Sequence, residues 1–327
     1  MIIADGLRRT APEGLIHPAL FYHDEDSYLG DTVPYIHEGL DADEPVLVAV
    51  PPDRLELLRA ALGADAQRVE FQDMTVRGRN PARIIPTVLS AFVGDHRSAG
   101  RVRIIGEPIW AGRSADEYPA CVQHEALINV ALGDSPVTIL CPYDTTTLAP
   151  HVLTDARATH PVLIEYGDWS RSYSYAEPVG LAQSFNVPLP EATGSRDTLI
   201  FRAADGTQGV RGFVAERARG LGLTRARISD LCAAVHEVAV NTMIHTSGPG
   251  TVSIWSDGDA APGNEAVVVE VHDSGWIGDP LAGRHPRKPA DGRGYGLLLV
   301  NVLCDLVRVH TDPSQGTTVR MTMLRSG

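Results

Sequence analysis

The chain has 327 residues, long for one compact domain, and its 43% hydrophobic and 21% charged content is that of an ordinary soluble globular protein. A formal net charge of -13 argues against nucleic acid as the main partner, and no apolar run reaches membrane-spanning length. The N-terminus lacks a basic-then-apolar leader, and four scattered cysteines (Cys121, Cys141, Cys232, Cys304) form no Cys-x-x-Cys pair, so the expectation is a cytoplasmic, two-domain protein with reduced, buried thiols rather than disulfides or zinc.

In chain order, "PALFY" (18–22), "PVLVAV" (45–50), "RVEF" (68–71), "RVRIIGE" (101–107) and "PVTILCP" (136–142) read as strands. Helical patterns fall between and after them, near 25–40, 53–62, 81–97, 116–132 and 146–158. Strand–helix alternation of this kind predicts an α/β unit with a mostly parallel, doubly wound sheet. It contains neither a G-x-x-x-x-G-K-[ST] loop nor a G-x-G-x-x-G after its first strand. "HEALIN" (124–129) begins like a zinc-protease helix, but Ile128 stands where the second histidine belongs. The histidines of this half, among them His17, His23 and His37, read as surface or core residues with local hydrogen bonds, with a metal or haem ligand as the lesser alternative.

From 166 to 196 the chain is rich in Ser, Tyr, Pro and Gly without periodicity, which predicts a linker. Beyond it, "TLIFRA" reads as a strand, 207–221 as a helix and Arg225 to Thr246 as a longer helix. Strands follow at 251–256, 266–272, 306–311 and 317–324. Strands and helices are segregated here, so this half is expected to be a two-layer α/β sandwich.

The long helix carries the strongest chemical signal, "HEVAVNTMIHT" (236–246). Glu237, Asn241 and His245 recur every four residues and share one face, offering a carboxylate, an amide and an imidazole. A carboxylate can take a proton and an amide oxygen can ligate Mg²⁺. Val240 occupies the second-histidine position, so no zinc pair forms here either. "EAVVVEVHDSG" ends an alternating strand at Asp273, with Gly275 two residues on. "GRGYG" places Gly292, Gly294 and Gly296 before an apolar helix whose N-terminal amides could face anionic oxygens. "QGTTVRM" puts Gly316, Thr317 and Thr318 at the start of the last strand. Each piece has an ordinary reading on its own: an amphipathic helix, an Asp-Ser-Gly turn, a glycine triplet, a hairpin.

In order, the four segments resemble the GHKL ATPase superfamily, the histidine-kinase-like or Bergerat ATP-binding fold, over roughly residues 197 to 324. Glu-x-x-x-Asn-x-x-x-His is similar to its N box, Asp-x-Gly to its first glycine box, Gly-x-Gly-x-Gly to its second and Gly-Thr-Thr to its last. The short 279–291 stretch resembles the compact lid of RsbW-like anti-sigma serine kinases. The resemblance implies ATP and Mg²⁺ as cofactors, Asn241 as the Mg²⁺ ligand and Glu237 as general base on a partner's serine. It implies Asp273 and Gly275 at adenine, Gly292, Arg293, Gly294 and Gly296 at the phosphates, and His245, Thr317 and Thr318 in the ATP site, Thr318 near Asp273. One departure is visible: the first box reads "DSGWIGD", with Ile277 at the usual second glycine, Gly278 one place late and bulky Trp276 beside it.

"HPALFYHDEDSYLGDTVPYIHEGLDADEPVLVAVP", "IIGEPIWAGRSADEYPACVQHEALIN", "CPYD" and "ARATHP" are similar to the MEDS sensory domain over roughly 14–165. The pairing resembles RsbA-like regulators, with domains at 14–165 and 197–327. It implies a cytoplasmic anti-sigma regulator with an alternative sigma factor and a STAS-type antagonist as partners and a small-molecule ligand for the N-terminal half. It implies no direct nucleic-acid or membrane contact and leaves a homodimer open. The alternative is a non-catalytic module that binds nucleotide and sigma factor without transferring phosphate.

Overall fold

The computed structural model describes residues 14–192, 194–257, 265–285 and 295–325. They divide into two compact units, 1–185 and 186–327. No helix among the described residues is long and apolar enough to cross a membrane.

The first unit runs β1 (Pro18–Tyr22), α1 (Glu25–Asp41), β2 (Val46–Val50), α2 (Pro52–Leu62), β3 (Val69–Asp73), α3 (Met74–Arg77), α4 (Ser90–Asp95), β4 (Val102–Gly106), α5 (Tyr118–Ala131), β5 (Val137–Asp144), α6 (Pro150–Thr159), β6 (Val162–Glu165), β7 (Asp168–Arg171) and α7 (Pro178–Ser184). Its sheet has the order β3-β2-β4-β5-β1-β6-β7, parallel throughout except for β7, which pairs antiparallel with β6. Strands β1 and β2 are buried along their whole length, as parallel strands with both faces covered must be. The α1 start is set by a capping box: the Ser27 amide donates to Asp24 Oδ1 at 2.8 Å, and the Asp24 amide to Ser27 Oγ at 3.1 Å.

The expected linker at 166–196 needs correction. Tyr166 and Gly167, with φ of 54° and 78°, turn β6 into β7 in two residues, as a tight hairpin requires. Helix α7 then follows, capped by Glu177, which accepts from the amides of Val179 and Gly180 at 2.9 and 2.6 Å. β7 is an exposed edge strand with only Trp169 partly buried, so it lacks the apolar alternation that marks a strand in sequence. The first unit therefore continues to Phe185.

The second unit contains β8 (Asp197–Phe201), α8 (Gln208–Gly220), α9 (Arg225–His245), β9 (Gly250–Asp257), β10 (Ala266–Asp273), α10 (Gly296–Leu303), β11 (Leu306–Asp312) and β12 (Gly316–Leu324). Five antiparallel strands stand in the order β11-β12-β10-β9-β8. Val210, Val214, Leu231, Val235, Val238 and Val300 of the helices pack on Val252, Val269, Val271, Val319 and Met321 of the strands, giving two layers around one core. The 186–190 segment lies along this sheet: Asn186 exchanges hydrogen bonds with the Thr311 backbone at 2.8 and 3.1 Å, and Arg320 donates to the Pro190 carbonyl at 2.6 Å.

Candidate functional site

One face of α9 is buried by Leu231, Val235, Val238 and Thr242, and this fixes the direction of its polar stripe. Glu237, Asn241 and His245 emerge beside that face and line a cavity of about 600 Å³. Asp273 and Gly275 at the end of β10, Gly296 at the start of α10 and Thr317 on β12 line the same cavity. Residues as far apart in the chain as Glu237 and Thr317 are thus brought to one place by α9, the sheet and α10.

Asp273 is held rigidly. Its Oδ2 accepts from the Thr242 hydroxyl at 2.6 Å and its Oδ1 from the Gly275 amide at 2.8 Å. Each carboxylate oxygen retains a lone pair, so the group can still accept a hydrogen bond from an amino group in the cavity. A side chain at Gly275 would bring a Cβ to 2.9 Å from Thr246 Cγ2, so this wall of the cavity has no room for one. At Gly296 a Cβ would stand 2.8 Å from Glu237 Oε2, filling the gap between α10 and the carboxylate. Gly316 has a φ of 91°, and a Cβ there would run into the Asp273 carbonyl. Thr317 donates to the Gly275 carbonyl at 2.9 Å and lies 2.8 Å from the Thr311 hydroxyl, tying β12 and β11 to the loop after β10.

Thr318 departs from expectation. Thr317 pairs with Asp273 and is buried, whereas Thr318 pairs with His272 and points to the other side of the sheet. There its hydroxyl meets His272 Nδ1 at 3.0 Å, so Thr318 is not part of the cavity. Gly292, Arg293 and Gly294 lie outside the described residues.

The displaced glycine of "DSGWIGD" is accommodated locally. A Cβ at Gly278 would touch the Trp276 ring at 3.0 Å, and the Ile277 amide donates to Thr311 Oγ1 at 2.9 Å. Trp276 and Ile277 both line the cavity, forming an apolar flank with Ile244 and Leu281. Residues missed in the sequence include Thr242, Tyr295, Gly283 and His285. Thr242 was legible in principle, since the position after Asn241 turns toward the sheet once α9 is oriented by its apolar face.

The donor set fits a nucleotide with its metal. A carboxylate with a fixed acceptor suits a purine amino group, the glycines leave backbone bare against a ligand, and the first amides of α10, which have no acceptor within the helix, are suited to anionic oxygens. Among the described lining residues there is no Lys or Arg, and the Asn241 amide oxygen is a group that can ligate Mg²⁺.

The comparisons with known proteins agree with this division. Residues 16–161 match the family described as MEDS, the MEthanogen/methylotroph, DcmR Sensory domain. Residues 202–323 match the histidine kinase-like ATPase domain. No curated protein matches the chain.

Proposed function

We propose that this chain, a MEDS sensory domain followed by a histidine kinase-like ATPase domain, is a cytoplasmic, ATP-dependent anti-sigma regulator. It holds an alternative sigma factor and phosphorylates a serine of a STAS-type antagonist under control of its N-terminal unit. The observation that carries this reading is the convergence of Glu237, Asn241, Asp273, Gly275, Gly296 and Thr317 on one cavity.

ATP would supply the transferable phosphoryl group, with Mg²⁺ neutralising its charge. Asp273, fixed by Thr242 and Gly275, accepts the purine amino hydrogen and orients the base. Asn241 presents its amide oxygen to the metal. Glu237, half-buried four residues before Asn241 on the same face, takes the proton from the incoming serine hydroxyl. The phosphate added to the antagonist carries roughly -1.5 to -2 charge and drives it off, leaving the sigma factor bound.

Incubation of the purified chain with labelled ATP, Mg²⁺ and candidate STAS-type proteins tests this. Transfer to a serine that disappears in Glu237→Ala, with nucleotide binding retained, is the expected result. Transfer that survives the substitution overturns Glu237 as base. The rearranged loop at Trp276, Ile277 and Gly278 favours a second reading, nucleotide binding with stoichiometric sigma capture and no transfer. The same assay separates the two.

A further inference from the structure

Four side chains far apart in the sequence meet in the dry interior of the first unit. His17 precedes β1, Glu125 lies on α5, Cys141 on β5, and His160 follows α6. Their exposures are 0%, 0%, 1% and 0%. His17 Nε2 and His160 Nε2 each stand 3.3 Å from Glu125 Oε2, and Cys141 Sγ is 3.4 Å from His17 Nε2 and 3.6 Å from Glu125 Oε2. All four donor atoms lie within 4.8 Å of one another.

The surrounding hydrogen bonds fix which ring nitrogens carry protons. The Asn129 amide nitrogen lies 3.3, 3.2 and 2.9 Å from the carbonyls of Glu125, Ala126 and Thr159, so its Oδ1 faces His17 Nδ1, 3.1 Å away, as an acceptor. His17 Nδ1 therefore bears the hydrogen. His160 Nδ1 lies 2.9 Å from the Thr159 hydroxyl and 2.8 Å from the Ala156 carbonyl, which can only accept, so this nitrogen donates to the carbonyl. In neutral rings both Nε2 lone pairs are then directed at a carboxylate oxygen, which is also an acceptor, and the single Cys141 S–H proton can meet only one of these three atoms.

Two protonated rings would relieve the conflict only by placing two cations with ring centroids 4.1 Å apart in a dry core. Glu125 Oε1 and His160 Nε2 are moreover buried without a hydrogen-bond partner. A cation at the centre meets both Nε2 lone pairs, Glu125 Oε2 and the Cys141 sulfur at once.

We propose that His17, Glu125, Cys141 and His160 bind a divalent transition-metal ion of the zinc class within the first unit. Tetrahedral zinc with bonds of about 2.0–2.1 Å to N and O and about 2.3 Å to S has ligand–ligand edges of about 3.3 Å and about 3.5 Å. The two 3.3 Å and the 3.4 and 3.6 Å separations above follow that pattern. A dication with one thiolate, one carboxylate and two neutral imidazoles sums to zero charge, which suits a site without water. The imidazole Nδ1 atoms already have the outer-sphere partners, Asn129 and Ala156, that orient metal-bound histidines. Four protein ligands leave no open position, so the ion ties β1, α5, β5 and the start of β6 together and does not activate water.

The test uses the full chain without nucleotide. After stripping with a chelator, one sample is reconstituted with ZnCl₂ and one with CoCl₂, excess ion is removed, and bound metal is measured by mass spectrometry. The expected result is about one ion per chain, with a tetrahedral cobalt spectrum that includes a thiolate-to-cobalt band. Cys141→Ser should remove that band and weaken zinc binding about tenfold or more, while Cys304→Ser in the second unit leaves both unchanged. Less than about a tenth of an ion per folded wild-type chain, or a thiolate band that persists in Cys141→Ser, overturns the proposal. The wild-type measurement decides the matter even where a ligand variant does not fold.

Discussion

At the scale of single residues, the candidate ATP site depends on groups whose surroundings define their work. Asp273 has both oxygens oriented by Thr242 and Gly275, so Asp273→Asn keeps the shape but turns one acceptor into a donor. Isothermal titration with Mg-ATP is expected to show an affinity loss of about tenfold to a hundredfold, roughly 1.4–3 kcal/mol. Gly296→Val should weaken the same affinity at least as much, because even its Cβ would stand 2.8 Å from Glu237 Oε2. In the first unit, Glu107 is 5% exposed and its Oε2 has no hydrogen-bond partner among the described residues. Burial pushes its carboxyl from 4.5 up to about 8, with Arg54 opposing and Asp53 and Asp144 assisting; Tyr22 and Tyr28 also face it. The folded state then holds a proton that the unfolded chain releases, so stability is lost as pH rises from 4.5 through about 8. Thermal melts at pH 5.5 and 8.5 should differ by about 5 °C more in the wild type than in Glu107→Gln.

At the scale of elements, strand alternation and turn chemistry separate what sequence pattern can and cannot reveal. The Gly-Thr-Thr signal marked both threonines, but the β10–β12 register puts Thr317 opposite Asp273 and Thr318 opposite His272. Thr317→Val should weaken nucleotide binding, and Thr318→Val should leave it within about twofold, as read by titration. The β6–β7 hairpin depends on two residues with positive φ at Tyr166 and Gly167. Gly167→Ala is expected to lower the stability of the first unit by about 1 kcal/mol, visible as a shift of its urea midpoint. The hairpin was illegible because an edge strand buries little, and "DWSR" has no apolar face to show. Helix α9, by contrast, was legible within one residue at each end, since 21 residues with a continuous apolar stripe leave little ambiguity.

At the scale of the whole molecule, two compact units with separate cores should melt with separable responses. Mg-ATP at about a hundred times its dissociation constant should stabilise the second unit by about 2.7 kcal/mol, as read by calorimetry. Much of this architecture is determined by the sequence itself. Runs of buried apolar residues specify the parallel strands, the i, i+4, i+8 spacing puts Glu237, Asn241 and His245 on one face, and ordered glycine segments mark the ATPase half. These are local signals, carried by periodicities of two and 3.6 residues. The tertiary structure alone decided the rest: Thr318 on the far side of the sheet and the extension of the first unit through β7 and α7. It also decided the meeting of His17, Glu125, Cys141 and His160, whose largest sequence separation spans most of that unit. No local pattern encodes a contact made by strand order, because which side chains meet depends on how β5, β1 and β6 lie side by side and on the helix packed across them.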